Sequence, residues 1–277
     1  MVADQYAVWL DRDVVAASGP DAGNFLQGQL SQDVLALAAG ASAWSWVLAP
    51  TGKVDALVRV TSLATGDWLL DTDAGWGEAL LTRLNRFKLR TKVAMEMRPW
   101  KVLGVRGAAV VAAGGPVAVE PWPGVVGVDL LGPDVAVPDG VPVMAPQEYE
   151  AVRIAAGIPK MGAELTDKTI PGETGLIALT VSFTKGCYTG QELVARIDSR
   201  GGNVPRNLRA LVLADRVEPG TELVDPDGKG AGTVTSVALA PDGRWVGLGY
   251  VRRGVAVPAT LQAGPGGPDV EVRELPG

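Results

Sequence analysis

The 277 residues include no histidine and a single cysteine, Cys187. Without imidazole the chain cannot build a serine or cysteine hydrolase triad, a histidine-ligated zinc or iron site, or a histidine proton shuttle. One thiol excludes an internal disulfide and leaves too few ligands for a resident zinc or iron-sulfur centre, so no metal site is expected. Charge of neither sign dominates. Lys and Arg number 25 and Asp and Glu 31, a net charge of -6 that argues against a nucleic-acid partner. Long apolar runs are also scarce: Val102 to Val119 contains Arg106 and is cut by Gly114, Gly115 and Pro116, so no membrane span is expected. The opening residues Met1 to Tyr6 do not read as a secretory signal, and a cytoplasmic, monomeric protein is the expectation. Neither GxGxxG nor GxxxxGK[ST] occurs, which removes the two commonest phosphate cradles.

Apolar residues make up 47% and charged residues 20%, enough to fold around a substantial core. Strand-like stretches run from Tyr6 to Ala17 and from Ser42 to Leu63, the second broken by a hairpin turn at Pro50-Thr51-Gly52. Between them a short helix near Pro20 carries Ala22, Phe25, Leu26 and Leu30 at helical spacing. A longer helix follows Asp73, a candidate N-cap, with Trp76, Leu80, Leu84 and Phe87 on one face. Trp100 to Val143 reads as short strands, and Pro146 opens another helix through Tyr149 and Val152. Beyond Gly201 the helical pattern gives way to strand-like runs separated by Pro-Gly and Asp-Gly turns, which predicts a small antiparallel barrel or sandwich. The expected organisation is α+β, a two-lobed region over 1–200 (lobes roughly 1–98 and 99–200) followed by a barrel over 201–277.

Chemistry concentrates in Lys185-Gly186-Cys187-Tyr188-Thr189-Gly190-Gln191-Glu192. Thr189 and Glu192 fit a capping box, and Leu193, Val194 and Ile197 form the apolar face of a short helix ending near Gly201. That places Cys187 just ahead of a helix N-terminus with the ammonium of Lys185 close in sequence, a setting that favours a thiolate. A lone cysteine is more often a small buried hydrophobe. Here a lysine, two glycines and the one thiol converge in eight residues, which points to a working thiol that lacks a histidine base.

KGCYTGQE with the following VAR, and RGGNVPR after it, resembles the signature of the YgfZ-type folate-binding proteins, relatives of the glycine-cleavage aminomethyltransferase (T-protein). The stretch FLQGQLSQDV (25–34), RIAAGIP (153–159) and IPGETGL (170–176) resemble further segments of that family, so the likeness extends over nearly the whole chain. It implies an aminomethyltransferase-like folate-binding fold of two α/β lobes and a C-terminal antiparallel β-barrel in a three-lobed ring. It also implies tetrahydrofolate in a central channel and a role in supporting iron-sulfur enzymes, with iron-sulfur client or assembly proteins as partners. By resemblance, Lys185 and Cys187 are the reactive pair, and Tyr188, Gln191 and Glu192 shape the loop. Asp55 corresponds to one of the relatives' two folate-facing aspartates, the other being Ala56 here. The glutamate that grips the pterin in relatives falls on Ala155, next to Arg153 in the same segment, and Glu173 is the substitute candidate. Arg196 and Arg206 flank the Gly201-Gly202 turn as candidates for a glutamyl carboxylate.

Two readings of activity stay open at this point. One is a folate-binding accessory protein in which Cys187 works on a partner; the alternative is a folate-dependent one-carbon (aminomethyl or methyl) transferase acting through Asp55. A third, a pure protein-interaction module, would gain if folate failed to bind. Arg83, Arg86, Lys88, Arg90 and Lys92 cluster at the end of the second helix; their ordinary reading is a solvated face that complements the helix C-terminus, and the functional alternative is a landing site for the polyglutamate tail of folate or an acidic partner. Trp44 and Trp46 alternate on one strand face and read as core.

Overall fold

The computed structural model describes residues 5–107 and 117–276; the breakers Gly114, Gly115 and Pro116 and the residues Met1 to Asp4 lie outside them. The chain opens with β1 (Tyr6–Leu10), β2 (Arg12–Ser18) and α1 (Ala22–Gln29). The four spaced apolar residues Ala22, Phe25, Leu26 and Leu30 are all buried. The hairpin β3 (Ser42–Leu48) and β4 (Val54–Ser62) turns at Pro50-Thr51-Gly52, and β5 (Trp68–Asp73) leads into α2 (Gly77–Phe87) and β6 (Ala94–Arg98). Together these strands form a five-stranded sheet in the order β3-β4-β5-β2-β6. Its face carrying Val15, Val58 and Val60 packs on α1 and α2 through Leu26, Leu80 and Leu84.

The next strands are β7 (Lys101–Arg106), β8 (Val117–Val119) and β9 (Gly127–Gly132). They form a second sheet in the order β1-β7-β9-β8, so the first strand crosses over, with Tyr6 opposite Arg106. Val14 and Leu69 of the first sheet meet Val102 and Leu131 of the second in a shared core. Beyond it come α3 (Pro146–Ala155), a 3-10 turn at Pro171–Thr174, the single turn α4 (Ile177–Thr180) and α5 (Gln191–Ser199). Strands β10 (Arg206–Leu213), β11 (Glu222–Val224), β12 (Gly230–Leu239), β13 (Trp245–Arg252), β14 (Ala259–Ala263) and β15 (Asp269–Arg273) close an antiparallel barrel. Closure leaves no free sheet edge. Ala151 and Ile154 of α3 seat against Leu208, Leu248 and Tyr250 on its outside.

Two helix starts differ from the sequence expectation. Asp73 does not cap α2: it ends β5, where its carboxylate meets Arg12 (3.2 Å) and accepts from the Met161 amide (2.7 Å). The amides of Gly75 and Gly77 instead donate to Asp13 Oδ2 at 2.9 and 2.8 Å, so a neighbouring strand supplies the cap. Helix α5 likewise lacks the Thr189 cap. Gly190, at φ +81°, holds that position in the left-handed region, which a side chain disfavours. Among the described residues no helix is long and apolar enough to cross a membrane.

Candidate functional site

The KGCYTGQE loop is held on three sides. Lys185 points its ammonium away from solvent to the end of α1, where Nζ donates to the carbonyls of Gln27, Leu30 and Gln32 at 2.6, 2.6 and 2.9 Å. The face of the Tyr188 ring lies 5.1 Å from the same nitrogen. Burial pushes the Lys185 ammonium down to about 8, with the charge of Asp33 opposing. Burial pushes the Tyr188 phenol up to about 12. On the second side the Thr189 amide donates to Gly28 O (3.1 Å), inside the resembling FLQGQ stretch. On the third, Gly190 seats against the β3-β4 hairpin: a Cβ there would lie 2.5 Å from Ala49 O and 2.7 Å from Leu48 Cβ. Gln191 closes the loop, its Oε1 accepting from the Tyr188 amide at 3.1 Å. Pinned in this way, the loop leaves Cys187 exposed. Glu192 and Arg196 are exposed as well and face solvent on α5.

Asp55 stands on the other side of the hairpin. Its Oδ2 accepts from Arg83 Nε at 2.8 Å, while Arg83 also donates to Leu48 O (2.7 Å) and Gln29 Oε1 (3.1 Å). The same Gln29 oxygen receives the Thr189 hydroxyl at 3.5 Å. A chain of polar contacts therefore runs Asp55, Arg83, Gln29, Thr189. Asp55 and Arg83 line a cavity of about 540 Å³ between α2 and the hairpin, whose walls include Val47, Pro50, Val54, Trp76 and Leu80.

Arg153 lies elsewhere. It lines a second, central cavity of about 220 Å³ with Trp9, Trp44, Trp122, Tyr149 and Lys160. Its guanidinium contacts Glu150, Glu164, Ser236 Oγ and the Ile158 carbonyl, and these neighbours hold its proton more firmly than usual against the effect of burial. Glu173, the substitute candidate for the pterin, stands away from both cavities. Its buried carboxylate accepts from the Ile170 amide (3.2 Å) and pairs with both Arg206 Nε and Nη2 (3.2 Å each). Arg206 stacks over Tyr250 at 4.1 Å, so this pair fastens the barrel and lines neither cavity. The structure thus separates the sequence candidates: Lys185, Tyr188 and Gln191 with the thiol loop, Asp55 across the hairpin, Arg153 in the centre.

The donor sets of the two cavities differ in their fit to a reduced folate. An aminopyrimidine ring presents N–H groups that need a carboxylate, since unpaired buried polar groups cost roughly 1 to 3 kcal/mol each. In the central cavity Asp73 pairs with Arg12, Asp129 with Arg59 and Arg106, and Glu150 with Arg153. The T-shaped Trp44-Trp122 pair, 4.8 Å between centroids, fills much of the rest. Two enclosed atoms there, Arg106 Nε and Asp129 Oδ1, have no hydrogen bond, yet Asp129 Oδ1 lies 2.7 Å from Arg106 Nη1 and is neutralised by it. A volume of about 220 Å³ is also below the roughly 300 to 1,000 Å³ of ordinary ligand pockets. The α2 cavity falls inside that range, and the Asp55 carboxylate, 31% exposed, keeps Oδ1 clear of hydrogen bonds among the described residues. Sequence reasoning missed Arg83 and Gln29 as partners of Asp55. Arg83 was legible only as part of a basic cluster and Gln29 only as part of FLQGQ.

No protein-family model matches the chain. The structure is similar to the glycine cleavage system aminomethyltransferase T of Bartonella henselae, with a TM-score of 0.85 over 98% of this chain and 86% of that one at 21% identity. The fold is therefore aminomethyltransferase-like, mixed α+β with a closed six-stranded barrel. The Iron-sulfur cluster assembly factor IBA57 homolog, mitochondrial, of Chaetomium globosum is 27% identical over 80% of this chain and 57% of its own length. The tRNA-modifying protein YgfZ of Klebsiella pneumoniae is 29% identical over 84% of this chain and 81% of its own. The protein of the same name from Enterobacter sp. (strain 638) is 31% identical over the same shares. At 31% identity over 84% of its length, the chain belongs to the YgfZ family.

Proposed function

We propose that this chain is a tetrahydrofolate-binding accessory protein that supports iron-sulfur enzymes, including those that modify tRNA, and that Cys187 is its working thiol. One observation carries the reading. The polar path Asp55, Arg83, Gln29, Thr189 joins a ligand-sized cavity with an available carboxylate to the loop that presents the thiol. A bound reduced folate supplies a one-carbon carrier at that cavity; the chain's own residues orient it and hold the loop. The names of the Enterobacter and Chaetomium relatives, one tRNA-modifying and one an iron-sulfur cluster assembly factor, support the same assignment.

The test pairs binding with function. Calorimetry with 5-formyltetrahydrofolate should show saturable binding, and ligand at about 100 times its dissociation constant should add roughly 2.7 kcal/mol to unfolding stability. Cys187→Ser should bind the same ligand equally well and fail to restore iron-sulfur enzyme activity in cells lacking the native protein. Full restoration by the serine variant, or no folate binding by the unaltered protein, overturns the proposal.

A further inference from the structure

The segment between α2 and β6 stands out from the molecule with both of its ends fixed. At its start the Arg83 guanidinium lies 3.9 Å over the Phe87 ring, and the Lys88 amide donates to Asn85 O at 3.2 Å. At its end Lys92 is fastened to the head of α1. Its amide donates to Asp21 Oδ2 (2.6 Å), its carbonyl accepts from the Asp21 amide (3.3 Å), and a Cβ on Gly19 would lie 2.5 Å from the same oxygen. Between these anchors Leu89 is 79% exposed. Arg90, at φ +58°, is the one non-glycine among the described residues held in the left-handed region. A disfavoured backbone that turns a leucine to solvent costs stability and adds nothing to the core, which points to a use outside folding.

Charge singles out the same segment. The cations on either side of it are paired, Arg83 with Asp55 and Arg98 with Glu96, whereas Arg86, Lys88, Arg90 and Lys92 have no carboxylate within ion-pair distance among the described residues. Arg86, in the last turn of α2, complements the helix C-terminus. Arg90 and Lys92 lie beyond the helix and have no such role. In a chain of net charge -6, an exposed leucine flanked by unneutralised cations is complementary to an acidic protein surface with an apolar socket. An RNA backbone would engage the cations and leave the leucine in water.

The same surface leads to the thiol loop. Lys92 holds the head of α1, while Lys185 and Thr189 bond the carbonyls of Gln27, Gly28 and Leu30 at its tail. The eight residues of α1 span about 12 Å. On the way Asn24 is exposed, and a Cβ on Gly28 would meet nothing within 4 Å, so α1 is bare at both positions. An ordinary interface patch of about 800 Å² is roughly 30 Å across, wide enough to take in both loops. Resting on the reading of Cys187 as a thiol that serves a partner, we propose that the segment 86–92 is the docking site for that partner. The partner is an acidic protein that seats an apolar socket on Leu89 and so reaches along α1 to Cys187.

The test uses full-length variants at equal expression in cells lacking the native protein. Leu89→Ser and the charge reversal Lys88→Glu/Arg90→Glu should each lower the restored iron-sulfur enzyme activity by about tenfold. Raising their expression should recover it, because affinity is lost and the thiol is not. Purified, both variants should keep the native urea midpoint and the native alkylation rate of Cys187. Full restoration at equal expression by either variant, with Cys187→Ser still failing, leaves the thiol reading intact and overturns the docking site. Loss accompanied by a lowered midpoint or an altered alkylation rate makes the segment structural and also overturns it. Full restoration by Cys187→Ser overturns the thiol reading and this proposal with it. Bulk tRNA and phosphatidylglycerol vesicles are the competing probes. At physiological salt, binding of either one to the unaltered chain more tightly than about 1 μM, lost on the charge reversal, overturns the assignment to a protein partner.

Discussion

The ammonium of Lys185 has three donors, and the end of α1 presents three carbonyls to it at 2.6 to 2.9 Å. A helix C-terminus is the negative end of the macrodipole, so a cation there closes orphan carbonyls, while burial works against its charge. Lys185→Met should leave those carbonyls without partners and cost about 3 kcal/mol in urea unfolding, a value at which the loop also loosens. The pH dependence has a definite sign. The native value of about 8 lies below the ordinary lysine value of roughly 10.4, so between the two the unfolded chain holds more protons than the native one. Stability contributed at this position therefore rises as pH climbs through that window, and the gap between the native chain and Lys185→Met should widen from pH 8 to 10. A gap that narrows would contradict it. The sequence singled out Lys185 because of its position two residues from the thiol, but the partners of Nζ are more than 150 positions away in the chain. No spacing rule reaches that far. The exposure of Cys187 agrees with its reading as a reachable thiol.

At the scale of elements, periodicity located the helices and turn chemistry located the hairpin, because both signals are local. Caps were misread for a physical reason. Asp73 and Thr189 stand where a local cap belongs, yet Asp13 from β2 reaches the amides of Gly75 and Gly77, and Gly190 takes the left-handed position that α5 requires. Asp13→Ala should cost about 1 kcal/mol and fray the first turn of α2, seen as faster amide exchange at Gly75 to Ala79. Unchanged exchange there would mean that the turn is held by packing alone. Gly190→Ala meets two penalties, a φ of +81° and a Cβ crowded against Ala49 O and Leu48 Cβ. The loop and hairpin must then part, so a loss of about 3 kcal/mol is expected, with Cys187 labelled faster by a thiol reagent. Labelling at the native rate would show that the hairpin does not hold the thiol in place.

Across the whole molecule the units are joined by buried ions. Arg59 of β4, 1% exposed, bonds Asp71 of β5 and Asp129 of β9, and Arg106 of β7 closes on Asp129, so charge bridges the two sheets. The two guanidiniums hold the Asp129 carboxyl below the usual carboxylate range against the opposing effect of burial. Its contribution is present above the unfolded value of about 3.9 and is lost as pH falls through the native one. The barrel was legible from the regular turns after Gly201, whereas its attachment was not, because it depends on which side chains face inward across two units. Glu164 is the centre of that attachment. With 1% exposure it accepts from Thr235 Oγ1 and Ser236 Oγ of β12 at 2.6 Å each, from the Lys160 amide at 3.0 Å and from Arg153 Nη1 at 3.3 Å. Arg153 itself donates to Ser236, so α3, the segment after it and the barrel share one carboxylate. Removing it leaves a buried guanidinium short of one partner and the Ser236 hydroxyl without an acceptor, while Thr235 keeps the Leu248 carbonyl at 3.0 Å; breaking such a buried pair costs about 3 to 5 kcal/mol. Glu164→Ala should lower the urea midpoint accordingly and speed amide exchange in β12 before it does so in β3 and β4. Glu164→Gln, which keeps the shape and accepts through one oxygen, should lose less. If the alanine variant instead unfolds within about 1 kcal/mol of the native chain, the barrel is held by the apolar contact of α3 with Leu208, Leu248 and Tyr250, and the carboxylate is a passenger.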